Sequence, residues 1–530
     1  MQESSLLLGL LAAIVAFAIL AKRLAIPYPI AFVVGGAAIA LFPTVPEVRL
    51  SPDWIFLIIL PPLLYSGGWL TDWTTFRQNL RPIGLLAIGL VIATTVAVAV
   101  VAHAMSPALG WAAAFALGAI VSPPDAVAAG AVFERFPMPR RILAILDGEG
   151  LVNDATALVI YRFAIIAALS GTFSIATAGL AFVLVAASGI AIGLFYGFIY
   201  VVAVKALRRA QLLDDMLDNA LSLLTPYAVY LATDSIHVGE LGPSAVLATV
   251  TVGIFVSRQS HKIFDPDSRL VAYSVWSVLI FLLNGLAFLL IGLQLRTVVH
   301  DPAFAGRTIW LGVAVSVLVI LVRLAWVYPA TYLPRLLFRG IVEREGTPDW
   351  RYVFVLGWSG MRGIVSLAAA LALPFAFPGR NEILFVTFCV IFTTLVLQGL
   401  SLIPLLKWLH IDDGDNLSRR EIEVRIAALR AGIARLRELE SGFESVEVWE
   451  VQGRLVGEYE YRIAHLQGHL DDGAENGGHP VAVALDHRMQ TEALEAERAE
   501  VLRMRGTGEI PDDIYRRIEY DLDLANARLT

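Results

Sequence analysis

The sequence predicts an all-α polytopic membrane protein. About thirteen transmembrane helices would form two inverted six-helix repeats with crossed, unwound helices, and a helical cytoplasmic tail would follow. Three observations carry this. The chain of 530 residues is 57% hydrophobic and 16% charged, against about 45–50% and about 25% in an ordinary soluble domain. The apolar residues fall in long runs up to residue 409, and charged sequence follows. Two of those runs, far apart in the chain, are interrupted by residues that a membrane helix should exclude.

A span needs roughly 20 predominantly apolar residues. On that rule the spans are 5–21, 27–43, 52–70, 82–104, 108–133, 141–168, 174–204, 216–234, 241–257, 270–295, 308–333, 351–375 and 381–409. The first run follows "MQESS", has no basic leader and no small-residue cleavage site, and therefore reads as a retained span. With the N-terminus outside, the inside loops hold Lys22, Arg23, Arg77, Arg81, Arg135, Arg140, Arg141, Lys205, Arg208, Arg209, Arg258, Lys262, Arg269, Arg335, Arg339, Arg344 and Arg351. The outside loops hold only Arg49, Arg296, Arg307 and Arg380. This is the asymmetry of the positive-inside rule, and it places the tail, residues 410–530, in the cytoplasm. Apolar residues at helical spacing between charges make the tail helical, with a break at "DDGAENGGHP" (471–480).

Ionisable groups inside a membrane are functional hypotheses, and each needs a partner. The first cluster is Ser122-Pro123-Pro124-Asp125 in the fifth span. Two prolines free upstream carbonyls, here including those of Ala119 and Ile120, and such carbonyls can coordinate a cation where they line a wet cavity. The second is "DGEGLVNDATALV" (147–159) in the sixth span. Glu149 and Asp154 lie about 140° apart around a helix and face different neighbours. Asn153 beside Asp154 is a hard oxygen set that suits Na⁺, Li⁺ or a proton, while Asp147 reads as near the interface. The third is "GWSGMRGIVS" (357–366) in the twelfth span, where Arg362 sits among glycines and needs an anion. Glu149 is the candidate.

If the first six spans (5–168) form one repeat, 174–204 a connector and the last six (216–409) a second repeat, the two interrupted spans correspond. An odd offset also inverts one repeat against the other. Paired interrupted segments point to a transporter site at the bilayer midplane. Intramembrane enzyme chemistry finds no support, because His103, His237, His261, His300 and His410 fall at or near span ends. The single cysteine, Cys389, excludes an internal disulfide framework and a cysteine metal site. No G-x-x-x-x-G-K-[ST] motif is present, and no cofactor, ATP or nucleic acid is implied. A gated cation channel, which would also want broken helices and buried acids, is the alternative from another class.

At these residues the sequence resembles the bacterial and archaeal Na⁺/H⁺ antiporters of the cation:proton antiporter family, which includes the eukaryotic sodium/proton exchangers. "SPPDAVA" resembles the family's Asp-containing unwound helix and "EGLVNDATALVIY" its Asn-Asp helix. "GWSGMRGIVSLA" resembles its Gly-Arg-Gly segment, and "LPPLLYSGGW" (60–69) its third span. "IEYDLDLANARL" resembles the end of the bacterial tail. The resemblance implies Asp154 as the ion- and proton-binding carboxylate, with Asn153, Asp125, Ser122 and Ser66 around it. It implies a buried structural ion pair of Glu149 with Arg362. It further implies electroneutral exchange of one monovalent cation (Na⁺, Li⁺ or K⁺) for one proton, a homodimer, and a bacterial inner membrane. Three positions depart from the family pattern: Ser66 where many members are acidic, Pro124 where some have Thr, and Gly150 where some have Ser.

Overall fold

The structure, a computed structural model, describes residues 2–42, 55–133, 136, 138–170, 175–236, 242–296, 306–411, 416–440, 446–471, 480–507 and 512–529. Arg49 and Arg135 among the loop charges, and His237 and His300, lie outside them. Regular structure among the described residues is all helical, in two compact units, Met1–Asp412 and Asp413–Thr530.

The first unit begins with α1 (Gln2–Leu24), α2 (Tyr28–Ala40) and α3 (Leu60–Leu70), the last entered through a π-turn over Ile55–Ile59. Next come the short α4 (Trp73–Gln78) and the long α5 (Leu80–Met105). The predicted fifth span is two helices, α6 (Gly110–Val121) and α7 (Ala126–Phe133). Then follow α8 (Arg140–Ser170), α9 (Ile175–Arg209), α10 (Asp215–Asp234), α11 (Ala245–Ile263), α12 (Pro266–Leu293), α13 (Gly306–Leu337) and the short α14 (Arg339–Glu345). The predicted twelfth span is likewise divided, into α15 (Trp350–Trp358) and α16 (Ile364–Leu371), before α17 (Arg380–Trp408). Among the described residues, 7 segments are long and apolar enough to cross a membrane, and the chain is a multi-pass membrane protein. α9 runs past its predicted end at 204 to Arg209, and there Arg208 pairs with buried Asp218 and, at 2.7 Å, with Asp265.

Packing sorts these helices into two groups. In one, α2 lies on α12, α11 lies on α3 and α9, and α10 lies on α11. In the other, α6 lies on α5 and α8, α13 lies on α5, α15 and α17, and α16 lies on α17. α8 runs along the boundary and also touches α3, α9 and α11. The first group closes through small residues, as helices must where lipid is as apolar as their side chains. A Cβ on Gly36 would stand 2.3 Å from the Leu289 carbonyl oxygen, and one on Gly292 would stand 2.2 Å from that of Val33. α3 and α11 repeat the device. Gly68 would meet the Val250 oxygen at 2.5 Å and Gly253 that of Tyr65 at 2.4 Å. Polar residues start the helices. Asp214, Ser244 and Asp349 accept from the backbone N–H groups of Leu217, Leu247 and Arg351 at 2.7, 3.2 and 3.1 Å, satisfying donors that have no partner inside the helix.

The second unit holds α18 (Asn416–Glu440), α19 (Val446–Asp471), α20 (Pro480–Gly506) and α21 (Asp512–Leu529). α18 and α19 pack on one another through buried Ile426, Ile433 and Ile463. α20 packs on α21, where Arg498 pairs with Asp523 at 2.5 Å.

Candidate ion-binding site

The two breaks meet. The Asp125 backbone N–H donates to the Met361 carbonyl at 2.6 Å, which joins the gap after α6 to the gap after α15. Proline accounts for the first gap. Neither Pro123 nor Pro124 has a backbone donor, so the helix stops at Val121 and restarts at Ala126. Asp125 starts the new helix by accepting from Val127 N–H at 2.9 Å and Ala128 N–H at 3.4 Å. Glycine accounts for the second gap. A Cβ on Gly363 would stand 1.7 Å from Asp125 Oδ2, so only a residue without a side chain lets the carboxylate lie against this backbone.

Arg362 stitches the breaks together. It is fully buried. Its guanidinium donates to the carbonyls of Val121 at 3.0 Å and Ser122 at 3.3 Å, and closely to that of Gly360. Its backbone N–H donates to Thr394 Oγ1 at 3.1 Å, on a π-segment of α17. Asn153 completes the seam by donating from Nδ2 to the Pro124 carbonyl at 2.8 Å. The carbonyls of Val121, Ser122 and Pro124 along the unwound segment are therefore taken by Arg362 and Asn153. The Ala119 carbonyl, which the sequence offered to a cation, accepts from the Ser122 hydroxyl at 3.0 Å.

This geometry corrects the predicted ion pair of Glu149 with Arg362. Glu149 pairs with Arg323 of α13, with Nη1 to Oε1 at 2.5 Å and Nη2 to Oε2 at 2.8 Å. Arg323 also donates to the Leu356 carbonyl at 3.1 Å, and both side chains are buried. The reason is directional. Glu149 leaves α8 on the face that the Arg323 side chain reaches, where a planar guanidinium matches its carboxylate with two parallel bonds. Arg362 lies where unwound backbone presents carbonyls at closer range.

The opposite face of α8 borders a cavity of about 550 Å³ between the two helix groups. Asp147, Gly150, Leu151 and Asp154 line it from α8, and Pro124 and Asp125 from the first break. Ser66 faces it from α3, Asn284 from α12 and Ser366 from α16. The structure thus brings Asp125, Asp154 and Ser66 to one space. Asn153 stands behind it as a brace, and Ser122, fully buried, does not line it. Asp147, expected near the interface, is exposed within the cavity wall. Sequence reasoning passed over Arg323, Asn284 and Ser366. Arg323 was visible as a lone cation in an apolar run. Asn284 is a single polar residue with no motif around it, and Ser366 closes the segment "GWSGMRGIVS" without a signal that sets it apart. No group of three or more His, Cys, Asp or Glu able to hold a metal occurs among the described residues.

The family model for the transmembrane sodium/hydrogen exchanger matches residues 9–408, which is most of the chain and all of the helices that build this site. The chain belongs to the sodium/hydrogen exchanger family. This exchanger is 31% identical to a protein of Mycobacterium tuberculosis named a Na⁺/H⁺ exchanger, over 99% of its own length and 95% of the other's. It is 33% identical to a sodium, potassium, lithium and rubidium/H⁺ antiporter of Bacillus pumilus, over 83% and 66% of the two chains. Its fold is similar to that of the sodium proton antiporter of Methanocaldococcus jannaschii, with a TM-score of 0.56, 16% identity, and 77% of this chain and 100% of that one covered.

A Cβ on Gly150 would stand 2.6 Å from the Ala126 Cβ, so α8 approaches the start of α7 closely there. Ser66 keeps its place on the cavity, its hydroxyl donating to the Leu63 carbonyl at 2.9 Å.

Proposed function

We propose that this exchanger moves one monovalent cation against one proton by alternating access, with Asp154 as the shared binding carboxylate and Asp125 beside it. The observation that carries the reading is Asp154 in a cavity between two helix groups, next to two crossed breaks that Arg362 and Asn153 hold together. A carboxylate free of a buried cationic partner can bind either ion, and competition for one site couples the two flows without covalent chemistry. Rocking of the α5–α8 and α13–α17 group against the α2–α3 and α9–α12 group would expose the site to alternate sides.

The inverted-repeat reading has support beyond the paired breaks. If each of the first six spans corresponds to the span seven places later, the contact of α2 with α12 becomes the contact of α11 with α3. These are the two pairs closed by reciprocal glycines. We infer about thirteen spans, an outside N-terminus, a cytoplasmic tail, a homodimer and a bacterial inner membrane on the charge asymmetry and the family. The cation is Na⁺ with Li⁺ and K⁺ as further candidates, a breadth favoured by the named ion range of the Bacillus pumilus relative.

The test is cation-dependent proton movement in proteoliposomes, wild type beside Asp154→Asn, with Na⁺, Li⁺ or K⁺ added in turn and with or without a clamped potential. A wild-type response indifferent to the clamp and lost in the variant supports electroneutral exchange at Asp154. A response that follows the potential favours a channel or an electrogenic cycle.

A further inference from the structure

Hydroxyls inside the membrane helices mostly fall back on their own helix. Thr95, Thr249, Ser316 and Thr394 each donate to the carbonyl four residues earlier, at 2.7 to 2.9 Å. Ser366 does not. It is 1% exposed, it lines the cavity, and its Oγ has no hydrogen-bond partner among the described residues. The cause lies in the break. Ser366 is the third residue of α16, so the carbonyl four residues back belongs to Arg362, in the unwound segment. Thr94 and Thr387 also carry unpartnered buried hydroxyls, but neither lines the cavity.

A buried hydroxyl without a partner is costly, and it has two lone pairs to offer a hard cation. Ser366 lies one helical turn beyond Gly363, whose backbone abuts the Asp125 carboxylate. Ser366 therefore borders the same cavity as Asp125 and Asp154. We propose that Ser366 is a ligand of the transported monovalent cation, completing with its hydroxyl oxygen the set begun by the two carboxylates. This rests on the exchange reading above.

The experiment compares wild type, Ser366→Ala and Ser366→Thr in everted membrane vesicles of a host lacking its own antiporters, titrating Na⁺, Li⁺ and K⁺ against the dissipation of a proton gradient. Sodium binding to the purified proteins is measured by calorimetry, and their melting temperatures are recorded. A merely structural Ser366 would leave cation affinity unmoved, since its hydroxyl bonds to nothing in the protein. The expected result is an apparent KM for Na⁺ raised about tenfold in the alanine variant, matched by weaker calorimetric binding, with the melting temperature unchanged and affinity restored by threonine. Unchanged KM and unchanged sodium binding in Ser366→Ala overturn the assignment while leaving exchange intact. Absence of cation-dependent proton flux in the wild type overturns the exchange reading instead, and the calorimetric comparison still decides whether Ser366 holds the ion.

Discussion

The two faces of α8 carry the same chemical group to opposite ends. Glu149 and Asp154 are five residues apart. One is clamped by Arg323 and cut off from water, and the other borders the cavity with no ion pair among the described residues. Burying a carboxylate is tolerable only with a cation beside it. On the packed face Arg323 meets that need permanently, so Glu149 holds α8 to α13. On the cavity face it stays unmet, so Asp154 can take its counter-ion from solution. A carboxylate's role here is set by whether the fold has already given it a cation.

The sharpest test of this contrast is a double dissociation. Asp154→Asn should abolish exchange with little loss of stability, because Asp154 has no ion pair among the described residues to lose. Glu149→Gln should do the reverse, since it strands a buried guanidinium and should cost about 3–5 kcal/mol, read as a large drop in melting temperature. The double variant Glu149→Leu/Arg323→Leu should recover much of that loss, because removing both charges leaves neither unpaired. An unmoved melting temperature in Glu149→Gln would erase the distinction between the faces.

Gly363→Ala comes next in size. Its methyl group would collide with Asp125 Oδ2, so the carboxylate that starts α7 must move. Overpacking of this kind costs about 1–3 kcal/mol. Exchange should fall more steeply than stability, because the displaced group is part of the proposed site. Gly150→Ala meets only the Ala126 methyl and should disturb transport less. Equal losses in the two would mean that Asp125 matters only as a helix start.

Much of this was legible in the chain. Proline pairs and glycine runs act on their own backbone, so both breaks could be placed from sequence. The angular separation of Glu149 and Asp154 follows from helix geometry alone, and it anticipated that they face different neighbours. Partner identity was not legible. Arg323 and Arg362 are both lone cations in apolar runs, and only the folded arrangement decides which one reaches Glu149. Ser122 shows the same limit. Its neighbourhood suggested a ligand, but its hydroxyl turns back to Ala119 within α6. Ser366, an ordinary residue in sequence, was left without a partner by a break three residues upstream.

Asn153 and Asp147 sharpen the contrast at lower amplitude. Asn153→Ala removes the donor to the Pro124 carbonyl, leaves a buried acceptor unpaired, and should cost about 1–3 kcal/mol, read as a fall in melting temperature beyond that of a surface substitution.

Asp147 should give the smallest effect, and its form is diagnostic. It has no hydrogen bond or ion pair among the described residues, so Asp147→Asn should change stability by no more than about 0.5 kcal/mol. It lies seven residues from Asp154 on the same helix face, about 10.5 Å along the axis. In water one unit charge at that distance is worth about 0.4 kcal/mol, or about a twofold rise in apparent KM for the cation. That distance is also about one Debye length at 0.1 M salt, so the rise should be full in dilute buffer and vanish at high ionic strength. Apparent KM measured across a salt series decides between two roles. A salt-dependent shift makes Asp147 a distant attractor on the cavity wall. A larger shift that ignores salt would make it a direct ligand, and the cavity face of α8 would then hold two binding carboxylates.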